Sequence, residues 1–249
     1  MYTMVKKPVL LVIAHGSRDP RHAATVHALV RRVRALRPDV RVETGFLDFN
    51  IPSAQGVLES LAAEGVRDVV ALPLLLTRAF HAKADIPAVL RDAPAQLRIL
   101  QAEVLGPSPL LLSALERRLY EAGLTPADKS STGVVLASAG STDPEAIAVI
   151  AEIAREWRHT GWCAVRPAFA SASLPRTEDA VRELRSLGCA KVAVAPYVLA
   201  PGFLPDRIAR GAGEADVLAD VLGPAPEVAR VLLARYEAAR MPLPAAVGA

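Results

Sequence analysis

Apolar residues in this chain fall in short unbroken runs that alternate with stretches of helical spacing. The first run, Val9–Ala14, holds no polar position, as expected of a strand buried on both faces. Next, His22–Leu36 carries Val26, Leu29, Val30 and Val33 at helical spacing and stops before Pro38. Val40–Phe46 is predicted as the second strand. Asn50 is placed to cap a helix that begins near Pro52 and ends at Glu64, with Gly65 just past its last turn. Asp68–Leu76 reads as the third strand, and a helix starts near Asp85. A fourth strand covers about Leu97–Val104, and Ser108–Ala122 closes the series as a helix. Strands and helices in strict alternation predict a parallel sheet with helices on both faces.

The same pattern then recurs. VLLVIAHGSRDP, from Val9 to Pro20, is matched by VVLASAGSTDP, from Val134 to Pro144. VVALPLLLTRAFH, from Val69 to His81, is matched by VAVAPYVLAPGFL, from Val192 to Leu204. VLGP occurs at Val104–Pro107 and again at Val221–Pro224, each time ahead of a helical stretch that contains Tyr-Glu-Ala. The fold class expected is therefore α/β, with two similar domains at residues 1–124 and 132–240. A Pro- and Ser-bearing linker, Leu124–Thr132, joins them, and the Pro- and Ala-rich stretch after Arg240 is expected to be loosely held. The repeat is unequal in one respect. Ala139 stands where His15 stood, and Leu204 where His81 stood. One half keeps imidazoles at two strand ends and the other has lost both, which assigns chemistry to the first half and a supporting or substrate-covering role to the second.

Composition narrows the classes. Hydrophobic residues make up 52% of the chain and charged ones 22%, which suits a folded globular protein. A net charge of +3 with only 4% aromatic residues offers neither a basic surface nor stacking platforms for nucleic acid. Cys163 and Cys189 are too few for a disulfide framework or a chain-borne iron–sulfur cluster, and both are expected to be buried thiols. The first apolar run ends at His15, too soon to span a bilayer, and no signal peptide is visible, so the expected location is the cytoplasm.

In open α/β sheets, ligands bind beyond the carboxyl ends of the strands. His15, Asp48 and His81 each follow a different predicted strand, so they are expected on one rim. Two imidazoles and a carboxylate suit a divalent first-row metal and leave coordination positions open. Gly16-Ser17 can form an anion-binding turn at a helix start, although it lacks the spacing of a P-loop. Asp19-Pro20 reads as a helix-start device, because Asp143-Pro144 survives in the half without histidines. Asp85 reads as a helix cap. His22, His27 and His159 lie on predicted helices away from the rim and read as surface or structural residues.

His15-Gly-Ser-Arg, Gly45-Phe-Leu-Asp48 and Pro73-Leu-Leu-Leu-Thr-Arg-Ala-Phe-His81 followed by Asp85-Ile-Pro87 together resemble the class II chelatases. These are the sirohydrochlorin ferrochelatases and cobaltochelatases of siroheme and cobalamin synthesis. The resemblance covers both halves and implies two flavodoxin-like domains facing across a cleft. It also implies insertion of Fe2+ or Co2+, as substrate, into the tetrapyrrole sirohydrochlorin, with no permanently bound cofactor. On that resemblance His15 and His81 are the catalytic residues and bind the metal together with Asp48, and His15 also serves as base. Leu76, Thr77, Arg78, Ala79 and Phe80 would line the tetrapyrrole, and Arg18 and Lys83 join Arg78 as candidate partners of its eight carboxylates. Two positions depart from the pattern: Ala79 replaces a common Gly, and Ile51 replaces a residue that is acidic in some relatives. Partners other than the tetrapyrrole, whether nucleic acid or membrane, are not expected. Tandem fusion supplies internally what a short relative could gain by dimerising, so a monomer is expected. The alternative at this stage is a metal or tetrapyrrole carrier without turnover. A histidine phosphatase is disfavoured, because Ala14 rather than Arg precedes His15-Gly16.

Overall fold

The computed structural model describes residues 7–78 and 81–241, with the backbone alone for His81 and Ala82. In the first half, β1 (Val9–Ala14) lies between β2 (Val42–Phe46) and β3 (Asp68–Pro73), with β4 (Arg98–Gln101) outside β3. In the second, β5 (Thr132–Ser138) lies between β6 (Ala164–Phe169) and β7 (Lys191–Tyr197), with β8 (Val217–Leu218) outside β7. Every pairing is parallel, and the order 2-1-3-4 recurs in both sheets. The two halves are thus the α/β repeat that the apolar runs predict.

The unbroken apolar character of β1 follows from burial on both sides. Leu10, Val12 and Ala14 face one layer of helices, while Val9, Leu11 and Ile13 face α2 (Ala54–Ala63) and α3 (Ile86–Arg91). Each fully buried Leu or Ile here contributes about 1.5–3 kcal/mol relative to exposure. Asp19 and Asp143 cap α1 (Pro20–Leu36) and α5 (Pro144–Arg158), accepting from the amides of Arg21 and Glu145 at 2.9 and 3.0 Å. This bears out the helix-start reading of both Asp-Pro pairs.

The last helix of each half does not stay with its own sheet. α4 (Pro109–Glu121) packs on β7, while α8 (Pro226–Arg240) packs on β3, β4 and α1. Arg118 on α4 donates to the carbonyl of Leu222 at 3.0 Å, and Arg235 on α8 donates to that of Leu105 at 3.1 Å. Tyr236 on α8 reaches the carbonyl of Pro8, at 2.7 Å, just ahead of β1. Arg117 and Glu227 join the two helices through paired hydrogen bonds of 3.1 and 3.0 Å. One continuous apolar cluster therefore runs from Val12 and Leu72 in the first half to Leu136 and Trp157 in the second.

Several local expectations are corrected. β2 starts at Val42 rather than Val40, because the Val40 amide closes a turn on Arg37. β3 stops at Pro73, short of the expected Leu76. Asn50 is not the cap of α2: Ser53 is, its hydroxyl accepting from Gly56 at 3.1 Å. Asp85 precedes α3 in helical conformation and makes no side-chain cap, since a π-turn over His81–Asp85 already leads into that helix. Cys189 is buried, as expected, but Cys163 is exposed, with the two sulfurs 3.7 Å apart as thiols. α5, α6 (Thr177–Ser186) and α7 (Phe203–Gly211) complete the second half. Among the described residues no helix is long and apolar enough to cross a membrane. The stretch beyond Met241 lies outside the described residues.

Candidate metal and tetrapyrrole site

The carboxyl ends of β1, β2 and β3 form the rim that carries the expected residues. His15 leaves β1 half-buried, and Asp48 leaves β2 exposed. Their backbones are tied together: the Leu47 amide donates to Ala14 and the Asp48 amide to His15, both at 2.9 Å. Gly16 sits at φ +95°, where a side chain would run into the carbonyl of Asp48. A residue other than glycine at that position would push the carboxylate loop away from the imidazole. Asn50, read from sequence as a cap, instead accepts from the Ser17 amide at 2.8 Å and locks the first loop to the second. That amide is therefore engaged within the protein, and the anion-binding role considered for Gly16-Ser17 has no support here.

Asp48 folds back to accept from the amide of Phe49 at 2.8 Å, holding Phe49 at φ +60°. The Phe49 ring is about half exposed, lies 6.2 Å from the His15 ring, and carries the Arg18 guanidinium 5.2 Å from its centroid. Sequence reasoning missed Phe49. The signal available was an aromatic directly after the rim carboxylate in a chain with few aromatics.

Beyond β3, Leu76 and Thr77 line a cavity between the halves, and Arg78 is exposed, 3.8 Å from Glu103. Ala79 and Phe80 lie outside the described residues. His81 opens the π-turn, so its backbone belongs to the same rim, and its side chain lies outside the described atoms. Among the described residues no three His, Cys, Asp or Glu side chains converge as a metal cage. Lys83 is turned to the second half, where Asp143 and Glu145 each accept from it at 2.7 Å. These carboxylates hold the Lys83 pKa above its ordinary value, and Lys83 in turn holds that of Asp143 below the usual carboxylate range. Lys83 thus bridges the two rims, as does Arg21 with Asp206 at 2.9 Å.

His22 also departs from its reading as a residue remote from the rim. It lies in the first turn of α1, which starts at the rim, and it lines the inter-half cavity with its Nδ1 buried. Burial, and secondarily the nearby His15, lower its pKa below the ordinary imidazole value. The overlooked signal was position: a helix that follows a strand end presents its first turn to the ligand side of the sheet.

The second half repeats this loop geometry without its chemistry. The Ser171 amide donates to Ala139 at 3.0 Å, as Asp48 does to His15. Gly140 at φ +92° and Ala172 at φ +59° match Gly16 and Phe49. Imidazole, carboxylate and aromatic are replaced by Ala139, Ser171 and Ala172.

Comparison with known proteins agrees with this repeat. The CbiX family matches twice, over residues 9–122 and 133–239. The chain belongs to the CbiX family. The sirohydrochlorin cobaltochelatase of Priestia megaterium is 30% identical over 206 residues, covering 80% of this chain and 66% of that protein. The sirohydrochlorin ferrochelatase of the same organism is 28% identical over 204 residues, covering 80% of this chain and 76% of that protein. The structure of SirB from Bacillus subtilis with Fe3+ superposes with a TM-score of 0.82 at 26% identity, covering 94% of this chain and 95% of that one. Both four-stranded sheets of this CbiX-family chain thus have counterparts in a solved chelatase-like fold.

Proposed function

We propose that this chain inserts Fe2+ or Co2+ into sirohydrochlorin, the first half holding the metal and the second covering the macrocycle. The observation that carries the reading is the hydrogen-bonded junction of the β1 and β2 loops. It ties the loops that carry His15 and Asp48 backbone to backbone at one end of the sheet, the end at which the chain also leaves β3 toward His81. The twofold family match and the chelatase relatives support it.

The chemistry of insertion dictates what these residues do. A free-base macrocycle carries two pyrrole N–H protons, which must leave as the metal enters. The metal ion is a substrate, so its ligands must release it. His15, His81 and Asp48 are such ligands, binding a divalent ion with open positions and yielding it as four ring nitrogens take over. An imidazole, with an unperturbed pKa near 6.5, accepts a departing proton close to neutral pH, and His15 takes that role. The ring of Phe49 and the guanidinium of Arg18 beside it offer a flat face and a positive charge next to His15. Arg78 is exposed and paired only loosely with Glu103, so it remains able to meet a substrate carboxylate. Lys83 serves instead to hold the rims together. The test is anaerobic absorbance of sirohydrochlorin with Fe2+ or Co2+ and with wild type, His15→Ala or His81→Ala. Acceleration by wild type alone is expected. Equal rates with and without wild-type protein refute the reading.

A further inference from the structure

The second half holds two cysteines that insertion chemistry does not use. Cys163 directly precedes β6, and Cys189 lies between α6 and β7. β6 and β7 flank β5, so the two thiols approach each other across the amino end of β5. Their sulfurs lie 3.7 Å apart, in van der Waals contact and unbonded. All strands of this sheet run parallel, so the pair sits at the end opposite to the rim that faces the cleft.

Backbone and neighbours hold the pair in place. Gly133, near the start of β5, leaves the space, since a side chain there would come within 2.7 Å of the Cys189 sulfur. The Cys189 amide donates to Leu184 at 3.3 Å, closing the end of α6 after Gly188 at φ +80°. The Cys163 amide donates to Lys129 at 2.9 Å. In the first half Val9, Val40 and Val66 occupy the positions of Gly133, Cys163 and Cys189, and all three are buried. Ordinary apolar packing there gives way, in the second half, to a bare glycine and two touching thiols. The two thiols are also unequal. Cys163 is exposed, whereas Cys189 is only 6% exposed. An oxidant from solvent therefore meets Cys163, and Cys189 waits behind it. Burial, and then the neighbouring Cys163 thiol, push the Cys189 pKa up, which suits the second step of an exchange rather than the first.

We propose that Cys163 and Cys189 form a reversible redox site that takes a low-molecular-weight disulfide as its oxidant. The Cys163 thiolate attacks one sulfur of the oxidant, whose S–S bond breaks and releases one thiolate. Cys189 then gives up its proton and attacks the Cys163 sulfur of the mixed disulfide, releasing the second thiolate. Two protein thiols are thereby oxidised to one disulfide, the oxidant is reduced to two thiols, and the two protein protons pass to them. Bonded sulfurs lie about 2.05 Å apart, so the exposed Cys163 side chain has to swing in by less than about 2 Å. The bond closes a loop of about 27 residues that contains β6 and α6, and so stiffens the second half without touching the metal rim. This site stands independently of the function proposed above.

The experiment exposes the reduced full chain to oxidised glutathione and follows intact mass and melting temperature for wild type, Cys163→Ser and Cys189→Ala. Wild type is expected to lose two hydrogens and stay a single chain. Less than about a tenth of it should carry glutathione, because the adjacent thiol resolves the adduct at high effective concentration. Cys189→Ala should stall as the glutathione adduct, and Cys163→Ser should stay unmodified. Closed wild type should melt about 5–10 °C above the reduced form, the scale expected for a closed loop of this length. Dithiothreitol should return both thiols and the lower melting temperature. A glutathione adduct that persists on wild type as it does on Cys189→Ala refutes the site, and so does a disulfide between two chains or a wild type left unmodified. A closed form that melts no higher than the reduced one also refutes it, because the bond would then form at the expense of the fold.

Discussion

Gly16 and Gly140 offer a perturbation with an internal control. They occupy equivalent loops at φ +95° and +92°, and a side chain at either would strike a carbonyl, that of Asp48 or of Ser171. Alanine at such a conformation costs about 1–3 kcal/mol in backbone strain, and the collision adds to it by forcing the neighbouring loop outward. A total of roughly 3 kcal/mol is expected for each substitution, which for a chain of this size lowers the melting temperature by about 6–12 °C. The stability effects should be alike because the geometry is alike. The effects on activity should not be. Gly16→Ala moves Asp48 away from His15, whereas Gly140→Ala moves only Ser171 away from Ala139. The assay is insertion rate at a temperature well below both melting transitions, with melting followed by circular dichroism. Gly16→Ala should lose about a hundredfold or more in rate, the scale of a displaced acid–base group, and Gly140→Ala less than about threefold. Equal losses of activity would refute the assignment of chemistry to the first half. Unchanged melting in both would refute the steric argument.

Asp128 is drawn down to about 2 by Lys191 and by hydrogen bonds from Thr125. Its stabilisation is therefore full above the unfolded carboxylate pKa, about 3.9, and is lost as pH falls through the folded value. The melting difference between wild type and Asp128→Asn should shrink from pH 5 toward about pH 2, as thermal scans across that range would reveal. Glu227→Gln should weaken the link between α4 and α8 and cost about 1–2 kcal/mol in urea unfolding, since the pair is largely shielded from water. Lys83→Met should return the Asp143 carboxyl toward its usual titration range, observable by NMR, without loss of folding.

Most of the framework was legible because parallel strands buried on both faces write themselves as continuous apolar runs. Val9–Ala14 was placed to the residue, and the doubled Asp-Pro helix starts were recognised from their survival in both halves. Less legible was whatever depends on which loop touches which. Asn50 looked like a cap because it precedes a Pro and a helix, yet its amide oxygen is taken by Ser17 across the rim. His22 looked peripheral because helical spacing reports the buried stripe and not the height of a residue along the axis. Lys83 reads from sequence as a candidate partner of the macrocycle's carboxylates, and only the second half shows that Asp143 and Glu145 reach it. The crossing of the terminal helices left no mark in the sequence, since a helix with an apolar stripe reads alike whichever sheet it covers.

That crossing bears on how the two copies could drift apart. Losing the counterparts of His15 and His81 from the second half costs no framework, because Ala139 and Leu204, which stand there, pack against its apolar core. The surfaces under α4 and α8 are different: each must fit a sheet encoded by the other copy. A piece ending near Thr125 would carry one helix with nothing to cover and leave β3 and β4 bare. Duplication thus tied the two copies into mutual custody of their cores while freeing one rim to abandon its old chemistry.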